Sequence, residues 1–150
     1  MLIFILTSHS LTMVKLEDGF LVKSLLIADD NPAMMDTLVD MVQADFSIVG
    51  TLSSGGAILK EASSLNPDII LMDVSLGDMS GFAVAERLLK NGCEARIVFV
   101  SVHESVSFVQ AAHRMGASGY VFKSQLGRDL LNTLYTVSSG EQFVSSLPGE

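Results

Sequence analysis

The chain has 150 residues, 49% of them hydrophobic and 17% charged, with a mean hydropathy of +0.46; this suits one domain with a sizeable core and excludes a disordered composition. The 17 acids against 9 bases leave a net charge of -8, which excludes direct nucleic-acid binding through a basic face and fits a divalent cation or a basic partner. The one cysteine, Cys93, has no partner for an internal disulfide, so a reducing cytoplasm is the simplest compartment.

Taken in chain order, Met1 to Leu6 is apolar but too short to span a bilayer. It lacks the basic start and small-residue cleavage pattern of a signal peptide. Residues 1–22 are expected to form an N-terminal extension, poorly ordered or loosely docked; an extra strand or a dimer contact is the other reading. From Ser24 onward short β-like runs alternate with helical periodicity. Strands are expected at about 24–29, 47–52, 69–72, 96–101 and 119–122, and helices at about 32–44, 55–65, 81–91, 105–115 and 126–139. Pro32 opens the first helix where a missing N–H is harmless. Asn66-Pro67 stops the second and Gly140 follows the fifth. Five βα units with right-handed crossovers give an α/β fold, a doubly wound five-stranded parallel sheet in a three-layer αβα sandwich. Residues 23–139 make this domain, and 140–150 read as a tail or the start of a linker.

Four of the apolar runs lead into groups suited to phosphate chemistry, and the carboxyl ends of parallel strands share one edge, where ligand sites form. Leu25-Leu26-Ile27-Ala28 precedes Asp29-Asp30, a carboxylate pair whose repulsion a cation would relieve. Mg²⁺ suits it, having a preference for oxygen ligands; Asp30 in Asp30-Asn31-Pro32 reads equally as a helix cap. Ile69-Ile70-Leu71-Met72 precedes Asp73, whose carboxylate beside Mg²⁺ can attack a phosphoryl group and form an acyl phosphate; a plain cap or turn is its other reading. Ile97-Val98-Phe99-Val100 precedes Ser101, a hydroxyl donor or an ordinary strand-end serine. Tyr120-Val121-Phe122 precedes Lys123, which reaches the rim as a point charge or stays in solvent. Tyr120 is amphipathic and can sit in or out.

Asp29-Asp30, Asp73, Ser101, Tyr120 and Lys123 together resemble the receiver domain of two-component response regulators, most like those that precede a LuxR-type helix-turn-helix output domain. The resemblance covers about residues 24–139 and includes Leu26 to Pro32, Pro67 to Asp73 and Met115 to Lys123. It implies a flavodoxin-like (CheY-like) fold and a phosphoacceptor rather than an enzyme, with self-phosphorylation and self-dephosphorylation as its only chemistry. Asp73 would take a phosphoryl group from a histidine kinase or histidine phosphotransfer protein. Asp29, Asp30, Asp73 and the Ser75 backbone carbonyl would hold Mg²⁺ (or Mn²⁺), and Lys123 would bind phosphoryl oxygens. Ser101 and Tyr120 would switch the surface of the fourth helix, fifth strand and fifth helix, about 105–139, through which a homodimer could form. No membrane association is expected.

The chain departs from the family pattern at three positions. Gly77 stands where a proline is usual, which suggests a more mobile loop, with Asp78 adding charge near the pocket. Val102 is bulkier than the usual small residue after the switch hydroxyl. Ser124 replaces a proline with a cis bond. Ser139-Gly140-Glu141-Gln142-Phe143-Val144-Ser145 resembles the segment that closes such receivers before a DNA-binding domain. These departures lend weight to one alternative, a phosphate-independent receiver-like interaction module. A haloacid dehalogenase-type hydrolase would need an aspartate at Ser75. A flavodoxin-like cofactor binder would need a glycine-rich loop where Asp29-Asp30-Asn31-Pro32 stands. His9, His103 and His113 have no metal-site spacing.

Overall fold

The computed structural model describes residues 2–6, 11–17 and 20–146. The remaining positions of the expected extension and tail, His9 among them, lie outside the described residues. Within the extension, β1 (Leu2–Leu6) and β2 (Leu11–Glu17) pair antiparallel from Leu2↔Lys15 to Leu6↔Leu11, and β3 (Phe20–Leu21) adds to β2. Among the described residues this small sheet shares no ladder with the larger one that follows.

The strands of the large sheet are β4 (Ser24–Ala28), β5 (Ser47–Leu52), β6 (Ile69–Asp73), β7 (Arg96–Ser101), β8 (Gly119–Phe122) and β9 (Phe143–Val144). They run parallel in the order β5-β4-β6-β7-β8-β9. Helices α1 (Pro32–Val42), α2 (Gly55–Leu65), α3 (Gly81–Lys90), α4 (Val106–Arg114) and α5 (Leu126–Ser138) connect them. The five expected strands and helices are all present, with ends within two residues of the expected ones.

Alternation along each strand builds two cores. Leu26, Ala28, Ile70, Met72, Phe99 and Tyr120 face α2, α3 and α4, against Ile58, Ala62, Val84, Leu88 and Ala112. Leu25, Ile27, Leu71, Val98 and Val121 face α1 and α5, against Leu38, Val42, Leu130, Leu134 and Val137. Burial on both faces explains the unbroken apolar runs. No helix among the described residues is long and apolar enough to cross a membrane.

The sheet has six strands, one more than expected, because the segment read as a tail returns to it. The chain turns at Gly140 (φ +93°), and Phe143 and Val144 pair with Gly119 and Tyr120. The Ser145 N–H donates to the Tyr120 carbonyl at 2.8 Å. Its hydroxyl donates to Asp129 Oδ2 at 2.6 Å and accepts from the Phe122 N–H at 3.2 Å. Arg128 grips Asp129 with two bonds of 2.8 and 2.7 Å and also donates to the Ser146 carbonyl. The Arg128 guanidinium holds the Asp129 carboxyl below the usual carboxylate range, with Ser145 adding to it. Ser145 and Asp129 are both buried; removing the hydroxyl leaves the buried Phe122 N–H without its acceptor, while Asp129 keeps only its Arg128 bonds. Ser145→Ala is expected to lose about 1–3 kcal/mol of stability, read as a lower urea midpoint; an unchanged midpoint would contradict this.

Candidate functional site

The site sits where strand order reverses, at the carboxyl ends of β4 and β6, neighbours in the sheet that belong to different crossovers. Asp29 follows β4 directly and is buried; its Oδ1 accepts from the Asn31 N–H at 2.8 Å. Asn31, not Asp30, caps α1, its side chain accepting from the Met34 N–H at 3.0 Å. The capping alternative for Asp30 therefore falls away, and its carboxylate is exposed at the rim.

Asp73 ends β6 with 8% exposure. The turn reading of it holds. Oδ1 accepts from the Ser75 N–H at 3.0 Å, closing a turn. Oδ2 takes the Lys123 ammonium at 2.7 Å, and the same ammonium reaches Asp29 Oδ2 at 3.0 Å. Lys123 thus bridges the two strand ends. Carboxylate oxygens of Asp29, Asp30 and Asp73 all lie within 4.8 Å of one another. Three hard oxygen donors this close, with one lysine against three carboxylates, make a set suited to Mg²⁺ or Mn²⁺.

Burial pushes the Asp29 carboxyl above its ordinary value, more strongly than the Asn31 N–H and Lys123 pull it down. Burial pulls the Lys123 ammonium the other way, but its bonds to Asp73 and Asp29 outweigh that and leave it raised. A cation here would offset that cost of burial, along with the smaller repulsion from Asp73.

Of the remaining expected site residues, Ser75 bonds Asp73 through its N–H, while Ser101 and Tyr120 bond the loop after β7. Ser101 is fully buried at the end of β7, and its Oγ accepts from the His103 N–H at 3.0 Å. Tyr120 points inward, buried, and its hydroxyl donates to the His103 carbonyl at 2.7 Å. Ser101 and Tyr120 therefore hold one loop from its two sides. The His103 ring stacks on Phe108, with centroids 4.1 Å apart. Ser75 is exposed beside Asp73, in a loop closed by a Ser75↔Ser80 bridge. Val102 is 69% exposed.

Two loop expectations need correction. Gly77 has φ +80°, a backbone that proline cannot adopt, and the loop is tied down rather than free. Asp78 does not aim its charge into the pocket: its carboxylate accepts from the Gly55 and Gly56 N–H groups at 2.8 and 3.0 Å. Ser124 follows Lys123 through a trans bond, and its hydroxyl donates to Glu104, joining the turn after β8 to the loop after β7. Sequence reasoning missed the roles of Asp78, Asp129 and Ser145, because each depends on a partner at least 16 residues away.

A family model described as "Response regulator receiver domain" matches residues 25–135. The nitrate/nitrite response regulator protein NarL of Escherichia coli K12 is 32% identical over 124 residues, covering 81% of this chain and 57% of that protein. The chain thus spans little more than half the length of this relative. A two-component response regulator of the LuxR family from Aurantimonas sp. SI85-9A1 superposes with a TM-score of 0.78 at 22% identity, covering 81% of this chain and 89% of that one. The isolated receiver domain of RcsB from Salmonella enterica serovar Typhimurium, solved in the presence of the phosphomimetic BeF₃⁻, gives 0.74 at 18% identity, covering 83% of this chain and 94% of that one.

Proposed function

The chain belongs to the response regulator receiver domain family, and from that membership we propose that Asp73 is the acceptor of a phosphoryl group donated by a phosphohistidine on a histidine kinase or histidine phosphotransfer protein. The observation that carries this is the Asp73–Lys123–Asp29 bridge beside Asp30, at the strand-order reversal.

In the transfer, an Asp73 carboxylate oxygen attacks phosphorus, the P–N bond to the donor imidazole breaks, and an acyl phosphate forms. Asp73 is 8% exposed at the sheet's carboxyl edge, the side from which a donor would approach. The Ser75 N–H fixes Oδ1, which orients the carboxylate. Lys123, already 2.7 Å from Oδ2, carries the positive charge that phosphoryl oxygens need. Asp29, Asp30, Asp73 and the Ser75 carbonyl would hold Mg²⁺ (or Mn²⁺), which when bound neutralises developing charge on the phosphoryl group. The same pocket lets water hydrolyse the acyl phosphate, so the chemistry is limited to self-phosphorylation and self-dephosphorylation.

Readout runs through Ser101 and Tyr120. Both hold the loop after β7, through the N–H and carbonyl of His103. A phosphoryl group competing for the Ser101 hydroxyl would shift that loop and the α4-β8-α5 surface, the surface for an output partner or a homodimer. The setting is the cytoplasm, in a two-component phosphorelay that regulates transcription.

Thermal melting with BeF₃⁻ tests the reading. With BeF₃⁻ and Mg²⁺ together, the wild type should melt about 5 °C or more higher than with either alone. No joint effect would favour a phosphate-independent interaction module.

A further inference from the structure

Resting on the reading of Asp29, Asp30, Asp73 and the Ser75 carbonyl as a cation site, we infer that Asp78 is a positioning residue for that site: its carboxylate ties the loop between β6 and α3 to the first turn of α2, and so fixes where the Ser75 carbonyl stands.

The tether has two bonds. Asp78 Oδ1 accepts from the Gly55 N–H at 2.8 Å and Oδ2 from the Gly56 N–H at 3.0 Å. These are orphan donors of a helix start. The third, Ala57, is served by Ser54 Oγ at 3.1 Å. The Gly56 and Gly55 donors also hold the Asp78 carboxyl below its ordinary value, so the tether is charged across the neutral range.

The loop needs such a tether. Ser75, Gly77, Asp78 and Ser80 are all exposed. Its internal bonds, Asp78 N–H to the Leu76 carbonyl at 2.9 Å and Leu76 N–H to the Met79 carbonyl at 3.3 Å, join it only to itself. The buried Leu76 side chain anchors one point. Beyond Gly77, Met79 packs on the core beside Gly55, and Asp78 adds the polar tie to that same helix turn. Without the Asp78 bonds, the segment after Gly77 is held to α2 by the unbranched Met79 side chain alone, a softer contact that leaves the glycine room to pivot. Ser75 lies three residues before Asp78, and its N–H already bonds Asp73 Oδ1 at 3.0 Å. Any swing of the loop therefore moves the carbonyl relative to the three carboxylates.

Mn²⁺ binding to the whole chain, followed by loss of the free-ion EPR signal, tests this alongside amide exchange at Gly55 and Gly56. Asp78→Ala should weaken Mn²⁺ binding about 3- to 10-fold, ordering of the loop now opposing binding, and should speed exchange at both amides. Asp78→Asn, which keeps one acceptor oxygen, should fall between it and the wild type. Asp36→Ala removes an exposed α1 carboxylate of equal charge and should change the affinity less than either. Faster exchange with unchanged affinity would overturn the positioning role. Equal losses in Asp78→Ala, Asp78→Asn and Asp36→Ala would overturn it in favour of bulk charge. A wild type that binds no Mn²⁺ would overturn the cation-site reading itself, a failure distinct from the other two.

Discussion

Lys123→Met is expected to lose about 3–5 kcal/mol of stability at neutral pH in metal-free buffer, with Mg²⁺ restoring part of the loss. The wild-type ammonium bridges two carboxylates and is itself only 13% exposed, against 0% and 10% for the Asp29 and Asp73 side chains. Methionine keeps the apolar stem and removes the charge, so the change isolates electrostatics from packing. Two buried carboxylates would then face each other with Asp30 alongside, uncompensated. The pH dependence follows from Asp29. Its folded pKa lies above the ordinary 3.8, so the folded state favours the protonated acid. The resulting stability is fully present below the unfolded value of 3.8 and is lost as pH rises from there through the folded pKa. Removing Lys123 takes away two of the influences that hold this pKa down, so it climbs further and the variant's deficit should widen from about pH 4 to about pH 7. Lys123 in the wild type titrates in another window: raised above 10.5, its contribution is complete below that value and is lost only as pH climbs through the folded pKa. Urea unfolding of both proteins between about pH 4 and 7 would read the difference. A deficit independent of pH would mean that Lys123 acts through packing instead.

Gly81→Ala is the second large effect, and it follows from a close approach. Gly81 begins α3, and its N–H donates to the Val74 carbonyl at 2.6 Å. A methyl group on Gly81 would lie 2.3 Å from the Asp73 carbonyl oxygen and 3.1 Å from the Val74 Cα. Those are backbone atoms of the segment that aims Asp73, and they cannot turn aside as a side chain does. Alanine ordinarily gains up to about 1 kcal/mol over glycine in a helix. Here overpacking of about 1–3 kcal/mol works against it, so net destabilisation is expected. The larger effect should be on chemistry. Displacing Asp73 by even a fraction of the overlap costs phosphorylation about tenfold or more, since about 1 Å of misplacement can cost about 100-fold. Phosphorylation rates with a small acyl phosphate donor, beside urea midpoints, would show it. A variant with wild-type rate and midpoint would mean that α3 shifts freely and does not constrain Asp73.

Much of this molecule was legible in its sequence because its information is local. Each buried strand is an apolar run, and each polar group that matters follows such a run directly, so parallel pairing alone brings Asp29, Asp30, Asp73 and Lys123 to one rim. What local reading missed depends on distant partners. β9 is two residues long and has no periodicity to detect; it exists because β8 offers an open edge and Asp129 a buried acceptor for Ser145. The Asp78 tether needed the position of α2, which no spacing around Asp78 encodes. Asp30 and Asn31 are adjacent potential caps, and only the path of the chain into α1 decided for Asn31. Tyr120 could be read in or out until the His103 carbonyl was seen to meet its hydroxyl.

The central claim is that Asp73 is the phosphoacceptor. Intact mass after treatment with acetyl or carbamoyl phosphate and Mg²⁺, for wild type and Asp73→Asn, tests it most directly. One added phosphoryl mass on the wild type and none on Asp73→Asn is the expected result. An equal gain on both proteins, or none on either with a phosphorylated histidine donor as well, would contradict it.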